Sequence, residues 1–379
     1  MAGDWYDVKF LESASNVRRV MNKSTGRTPS AAVATEIAVS IQQGRLFFES
    51  ASNSQIQIRP LLIYYGIISF AQATIMARQG VSIATLARRH GLSDITESDG
   101  SLEKLLLKIE NRGTFQEFAS AIAPLNRMKY FFNSTPTSYE NPFDDSSKLA
   151  NKIISFIDII SRIPTICDKI TPTYGIESNA ALLQFNFEAF YGNRCTITLY
   201  DDALFSGIDD LKHKINKWRS CYPFLAKWEF YEASQAWGKS YLVFDNSSDF
   251  ANMDLEISDA RPIGFVNARR GLAKNFRDVR EMLPPLSGGY VQSSATYTMR
   301  PLFDVILPEY CLQFLGCFVL SSLVRYRPQI WQHAISRSVT EARAGDDRSL
   351  AIIELFLDYV SYSFPQMVVA CLQAEAPER

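Results

Sequence analysis

Two stretches of this chain are apolar on nearly every side over more turns than a surface helix tolerates, and they dictate what must surround them. One runs from Pro60 to Ala77, opened by Arg59-Pro60-Leu61-Leu62-Ile63-Tyr64-Tyr65-Gly66 and followed by His90-Gly91-Leu92. The other runs from Tyr310 to Tyr326. It closes with Leu320-Ser321-Ser322-Leu323-Val324-Arg325-Tyr326-Arg327-Pro328, and Trp331 lies just beyond. A helix without a polar face must be enclosed, so both are expected to be central and to pack on each other. Each also ends in arginines and aromatics beside a histidine. That ending implies a buried anion, an ion-pair network or a functional rim, because a buried charge needs a partner.

Neither stretch is expected to cross a membrane. Pro60 to Ala77 carries two tyrosines, Ser69, Gln72 and Thr74, and is bracketed by Arg59 and Arg78. A span needs about 20 predominantly apolar residues. The second candidate, Cys311 to Val324, is shorter still. Both are expected to be core helices of a globular protein.

With 379 residues, 47% of them hydrophobic, the chain can bury one large core or two ordinary ones. The net charge of −1 supplies no global field toward nucleic acid or an anionic membrane, so any such binding must come from a local patch. Arginine outnumbers lysine 25 to 14, and arginine is the better residue for bidentate contacts to carboxylate or phosphate. The six cysteines form no C-x-x-C pair and no regular framework. Three histidines leave little from which to build a metal site, so none is expected. The start, Met-Ala-Gly-Asp-Trp-Tyr-Asp, is acidic and lacks an apolar run, which points to a cytoplasmic protein with reduced thiols.

Along the chain, Ala31–Ser50 has the three-to-four spacing of an amphipathic helix. Pro60 suits the first turn of the next helix, and Gly80 its C-terminal cap. Further helices are expected at Ser101–Glu110, Thr114–Ile122 and Leu149–Arg162, the last stopped by Pro164. Residues Asn133 to Ser147 read as a loop. The middle then alternates: Leu182–Phe190 and Cys195–Tyr200 flank a Tyr191-Gly192-Asn193 turn, with more strands at Trp228–Tyr231, Tyr241–Phe244 and Gly289–Met299. Helices return at Tyr310–Tyr326, Pro328–Ala342, Leu350–Tyr362 and Phe364–Ala374. The expectation is an α+β, mainly helical protein, its core formed by N- and C-terminal helices around an inserted antiparallel β region. The parts would be an N-terminal helical part at 1–132, a helix and β-rich insertion at 148–300, and a C-terminal helical part at 301–379.

The Arg59 to Gly66 opening, His90-Gly91-Leu92, Gly113-Thr114-Phe115, Ser161-Arg162-Ile163-Pro164 and the Leu320 to Pro328 block with Trp331 are similar to the bacterial YaaC-like protein family. These matches spread over most of the chain. The resemblance implies a bacterial, cytoplasmic protein and brings no established activity with it. Ile95–Gly100 reads as a variable loop.

Four groups of residues carry possible chemistry. Arg327 followed by five residues and His333 resembles the signature of HEPN-type ribonucleases. That resemblance implies a helical homodimer cleaving RNA without metal, although Pro328 stands where those enzymes usually have a polar residue. Arg325 and Trp331, with Arg327, could form an anion pocket by charge and stacking, or pair with buried carboxylates. Arg88, Arg89 and His90 precede Gly91 at the end of a short helical turn, where they would either meet that turn's dipole or join the Arg325 cluster. Arg269 and Arg270 open the densest basic run, through Lys274, Arg277 and Arg280, with Phe265 and Phe276 interleaved, a pattern suited to single-stranded nucleic acid or to an ordinary surface. There is no Gly-x-x-x-x-Gly-Lys-Ser/Thr loop, no Gly-x-Gly-x-x-Gly and no Gly-x-Ser-x-Gly elbow, and no cofactor is expected. Two readings therefore stand: a binding or effector protein that receives an anionic ligand, nucleic acid or a partner protein, and a HEPN-like ribonuclease.

Overall fold

The structure, a computed structural model, describes residues 5–97, 101–123, 127–132, 135–140, 146–188, 194–200, 211–222, 225, 228–236, 239–245, 255–257, 266–268, 290–291, 295–336 and 348–374. Helices α1 (Tyr6–Phe10), α2 (Ala14–Thr25), α3 (Ala31–Ser52) and α4 (Arg59–Gln79) come first. Strands β1 (Leu92–Asp94) and β2 (Leu106–Ile109), helix α5 (Thr114–Ile122) and strands β3 (Arg127–Phe132) and β4 (Thr135–Glu140) follow. Then come β5 (Ile153–Ser155), α6 (Phe156–Ile160), α7 (Pro164–Tyr174), β6 (Ala180–Glu188), β7 (Arg194–Tyr200) and α8 (Leu211–Cys221). Strands β8 (Glu229–Ala236), β9 (Lys239–Asp245), β10 (Leu255–Ile257), β11 (Val266–Ala268), β12 (Tyr290–Val291) and β13 (Ala295–Met299) precede α9 (Glu309–Tyr326), α10 (Pro328–Ile335) and α11 (Arg348–Gln373). The fold is α+β and mainly helical.

The chain divides into two compact units. Residues 1–125, 143–178 and 307–379 form a helical unit, and residues 126–142 and 179–306 form a β-rich one. Both ends of the chain thus contribute to the helical unit. Residues 148–178, expected with the β insertion, group with the helices instead, as part of the segment 143–178. Its β5 completes a three-stranded antiparallel sheet with β2 and β1, and its α6 packs on α9.

In the helical unit α4 packs against α3, α9, α5 and α11. Glycines set the closest crossing. A Cβ at Gly44 of α3 would lie 2.5 Å from the Phe70 ring of α4, and a Cβ at Gly66 of α4 would lie 2.5 Å from the Phe48 ring of α3. Each helix therefore seats a phenylalanine on the other's glycine, and the two rings lie 5.5 Å apart. Helix α9 is buried from Cys311 through Leu323, as an all-round apolar sequence requires. By length and composition α4 and α11 could each cross a membrane, and most of the apolar part of α4 is enclosed within the protein.

Several expected elements are corrected. Ser101–Glu110 is not one helix but a 3-10 turn at Leu102–Lys104 followed by β2, because Leu105, Leu107 and Ile109 are buried at every second position, the period of a strand. Within the expected loop at 133–147, Thr135–Glu140 forms edge strand β4, where a proline such as Pro136 is tolerated. The expected helix at Leu149–Arg162 is a short 3-10 turn, strand β5 and the brief α6, and Pro164 opens α7 instead of ending a helix. Helix α11 runs through Pro365 to Gln373 without a break, and α10 ends at Ile335.

In the β-rich unit the seven-stranded sheet has the order β10-β11-β8-β9-β7-β6-β13, with every neighbouring pair antiparallel. The hairpin expected around Tyr191-Gly192-Asn193 is β6 and β7. Leu183, Leu199, Leu242 and Ala233 are successive register partners and all are buried, so one apolar row crosses four strands. A smaller sheet has the order β12-β3-β4, and there β12 runs parallel to β3.

Candidate anion site at the end of α9

Consecutive residues on a helix point about 100° apart, so a Tyr-Tyr pair on an enclosed helix must split its roles. Tyr64 faces inward and is fully buried, while Tyr65 is 36% exposed. The Tyr64 ring meets Phe314 and Phe318 of α9 edge-on, with centroids 5.8 and 5.7 Å away. Its hydroxyl lies 3.0 Å from Nδ1 of His90.

His90 is placed by a backbone clasp. Gly91 adopts φ +78°, and a Cβ there would lie 2.1 Å from Gln116 Oε1 and 2.9 Å from Gly113 Cα. The loop can therefore press against the start of α5, where the Thr114 and Phe115 N–H groups donate to the Arg89 and His90 carbonyls at 2.8 and 3.1 Å. Those N–H groups have no partner within their own helix, so the loop both caps α5 and fixes the imidazole. The Thr114 hydroxyl adds bonds to the Ala87 and Arg89 carbonyls, and the Gln116 amide one to the Gly91 carbonyl. The tripeptides His90-Gly91-Leu92 and Gly113-Thr114-Phe115 are the two sides of one contact.

Arg325, in the last turn of α9, completes the group. Its guanidinium carbon lies 5.7 Å from the Tyr64 ring centroid, 5.9 Å from that of Tyr65 and 4.9 Å from that of Tyr326. Its Nε donates to the Ser321 carbonyl at 3.4 Å. Among the described residues it has no carboxylate partner. Burial first, and then the positive Arg325, hold the His90 imidazolium below its ordinary pKa. Burial pushes the Tyr64 phenol well up, with Arg325 pulling partly the other way. The Tyr64 hydroxyl and His90 Nδ1 share one hydrogen bond, whose direction follows the imidazole tautomer. The structure thus brings His90 and Arg325 together around Tyr64. Arg88 and Arg89, immediately before His90, are exposed.

The neighbouring arginine behaves differently. Arg327 sits at the junction of α9 and α10 with φ −136° and ψ 56°, and its Nε lies 3.2 Å from Asp94 Oδ2. Its NH1 group donates to the Thr96 carbonyl. Asp94 also accepts from the Ser322 hydroxyl at 3.2 Å and, through Oδ1, from the Thr96 N–H at 2.9 Å. Arg327 and Ser322 therefore tie the end of α9 to β1, and the guanidinium is engaged with a nearly buried carboxylate.

Trp331 is not a stacking wall. It is 2% exposed, and its indole N–H donates to the Gln57 carbonyl at 3.0 Å. Two residues on, about 200° around α10, His333 is exposed. The Arg327 and His333 side chains thus face different surroundings, one turned to β1 and the other to solvent. Arg269 and Arg270 lie outside the described residues. Sequence reasoning missed Tyr64, Tyr65 and Tyr326 as parts of the site, and it missed Asp94 as the partner of Arg327. The Tyr64-Tyr65 pair in an apolar helix was an available signal, whereas a lone aspartate ahead of a supposed loop was not.

Among the described residues no three His, Cys, Asp or Glu side chains gather where they could hold a metal ion. No curated protein and no solved structure matches the chain. The family model described as YaaC-like Protein matches residues 9–372, a span that takes in α2 through α10, all but the last residue of α11, the His90 clasp and the Arg325 cluster, and on that match the chain belongs to the YaaC-like protein family.

Proposed function

We propose that this chain is a binding protein that receives an anionic group at Arg325, with His90 beside it. One observation carries the reading. Arg45, Arg59, Arg327 and Arg348 each have a carboxylate within hydrogen-bond or ion-pair distance, whereas among the described residues Arg325 has aromatic faces and a backbone carbonyl and no carboxylate. A guanidinium held against rings keeps its charge and its outward N–H groups for an incoming anion. The His90 imidazole adds an adjacent polar group, and the exposed Arg88 and Arg89 extend the positive surface.

The test uses inorganic polyphosphate and the full chain. The unaltered protein should bind it with an affinity that falls steeply as salt is added, and Arg325→Gln should weaken binding by roughly tenfold, the loss of one charge-assisted contact of about 1.5 kcal/mol. Unchanged binding in Arg325→Gln removes the reading. A HEPN-like ribonuclease through Arg327 and His333 draws less support, because the Arg327 guanidinium already serves Asp94 and Thr96. Purified protein should leave mixed RNA intact. Metal-independent cleavage abolished by His333→Ala in a folded protein would reinstate the enzyme.

A further inference from the structure

Resting on that reading, we propose that the surface around Arg325 binds single-stranded nucleic acid, with a phosphate on the Arg325 guanidinium and bases stacked on Tyr326 and Tyr65. Tyr326 is 71% exposed, although it belongs to a helix that is otherwise almost wholly buried. Removing so large a ring from water would ordinarily be favourable, so its exposure leaves an aromatic face available. Tyr65 lies against the same guanidinium, with its ring centroid 5.9 Å from the guanidinium carbon, and the Phe47 ring centroid lies 5.6 Å from its own. Phe47, Tyr65 and Tyr326 therefore gather aromatic rings around a positive charge that has no carboxylate partner among the described residues.

That combination of rings and charge selects among anions. A base-free polyanion would use Arg325, Arg88 and Arg89 and gain nothing from two exposed tyrosines. A single strand presents a phosphate and an unstacked base in every nucleotide, and aromatic faces accept any base. A duplex offers the phosphates while its bases are already stacked, so it engages only the charge. A free mononucleotide fits less well, because small ligands are held by enclosure of most of their surface and this site is open. The net charge of −1 requires the attraction to be local, and the arginines around His90 and Arg325 are a local source.

The experiment measures binding of the full chain to an unstructured single-stranded oligonucleotide, the corresponding duplex, inorganic polyphosphate, polyglutamate and AMP at one fixed salt concentration. Variants are Tyr326→Ala, Tyr326→Phe and Arg325→Gln. Tyr326→Ala should weaken the single strand by roughly tenfold, within the range of one lost base-stacking contact, and leave polyphosphate unchanged. Tyr326→Phe should retain single-strand affinity, because the ring supplies the contact, and Arg325→Gln should weaken both polyanions. Equal affinity for single strand and polyphosphate, with Tyr326→Ala affecting neither, overturns the nucleic-acid proposal and leaves the anion site standing. Preference for polyglutamate, or AMP displacing the single strand at matched concentration, also overturns it in favour of an acidic partner or a free nucleotide. Binding of none of the probes overturns both readings.

Discussion

Arg325 and Arg327 are two residues apart at one helix end, and their surroundings assign them opposite roles. Arg327 neutralises Asp94, whose side chain is only 9% exposed, so Arg327→Gln leaves a nearly buried carboxylate without its cation. Discounted for the partial exposure of the arginine itself, the expected cost is about 2 kcal/mol in denaturant unfolding. Arg325→Gln removes no ion pair among the described residues and should cost less than about 1 kcal/mol while weakening anion binding. Equal destabilisation by the two variants would contradict the division of roles. Arg45 shows the structural extreme, since it is buried and bonded to both Glu12 and Glu49, which push its pKa up against the opposing effect of burial. Sequence alone offers Arg325, Arg327 and Arg45 as three equivalent charges, because the carboxylates that distinguish them are non-local or, for Glu49, one helical turn away.

At the scale of elements, two pairs of glycines decide where helices and loops can approach. Gly44→Ala gains about 1 kcal/mol of helix propensity yet drives a methyl into the fully buried Phe70 ring. Overpacking of this kind costs about 1–3 kcal/mol before that gain, so a net loss of stability in urea unfolding is expected at Gly44 and equally at Gly66. Stabilisation by either alanine would show that α3 and α4 cross less closely. Gly91→Ala combines a positive φ with contact to Gln116 and to the Gly113 backbone, and should cost at least about 2 kcal/mol. Because it also moves His90, polyphosphate affinity should fall further than stability alone explains. The apolar periodicity and the proline and glycine caps made α3, α4, α5 and α9 readable from sequence. The segment 101–110 was misread because Leu102, Leu105, Leu106 and Ile109 have helical spacing while Leu105, Leu107 and Ile109 alternate, and only pairing with β1 and β5 selects the strand.

For the whole molecule, two titratable groups, the half-buried His90 and the buried Glu309, work against each other as pH changes. His90 has a folded pKa below its ordinary 6.5, so the stability of the neutral form is present above that value and is lost as pH falls toward the folded pKa. Glu309 is buried, with Tyr359 and Gln313 donating to Oε1 at 2.6 and 2.9 Å, and burial raises its pKa above the ordinary 4.5 despite those bonds. Its contribution is therefore present below about 4.5 and is lost as pH rises through the raised folded value. Thermal unfolding across pH should show Glu309→Gln gaining on the unaltered protein as pH rises, and His90→Gln gaining as pH falls below 6.5. A pH-independent difference in either variant would place that carboxyl or imidazole in a more polar setting than its burial indicates. By itself the sequence determined the helical core, the existence of a β insertion and the family, because apolar periodicity, caps and local motifs are written in neighbouring residues. Only the tertiary structure decided that His90 and Arg325 share Tyr64, that Arg327 belongs to Asp94 and that Trp331 is core. Each of those outcomes depends on which distant residue folding brings alongside, and no local spacing encodes it.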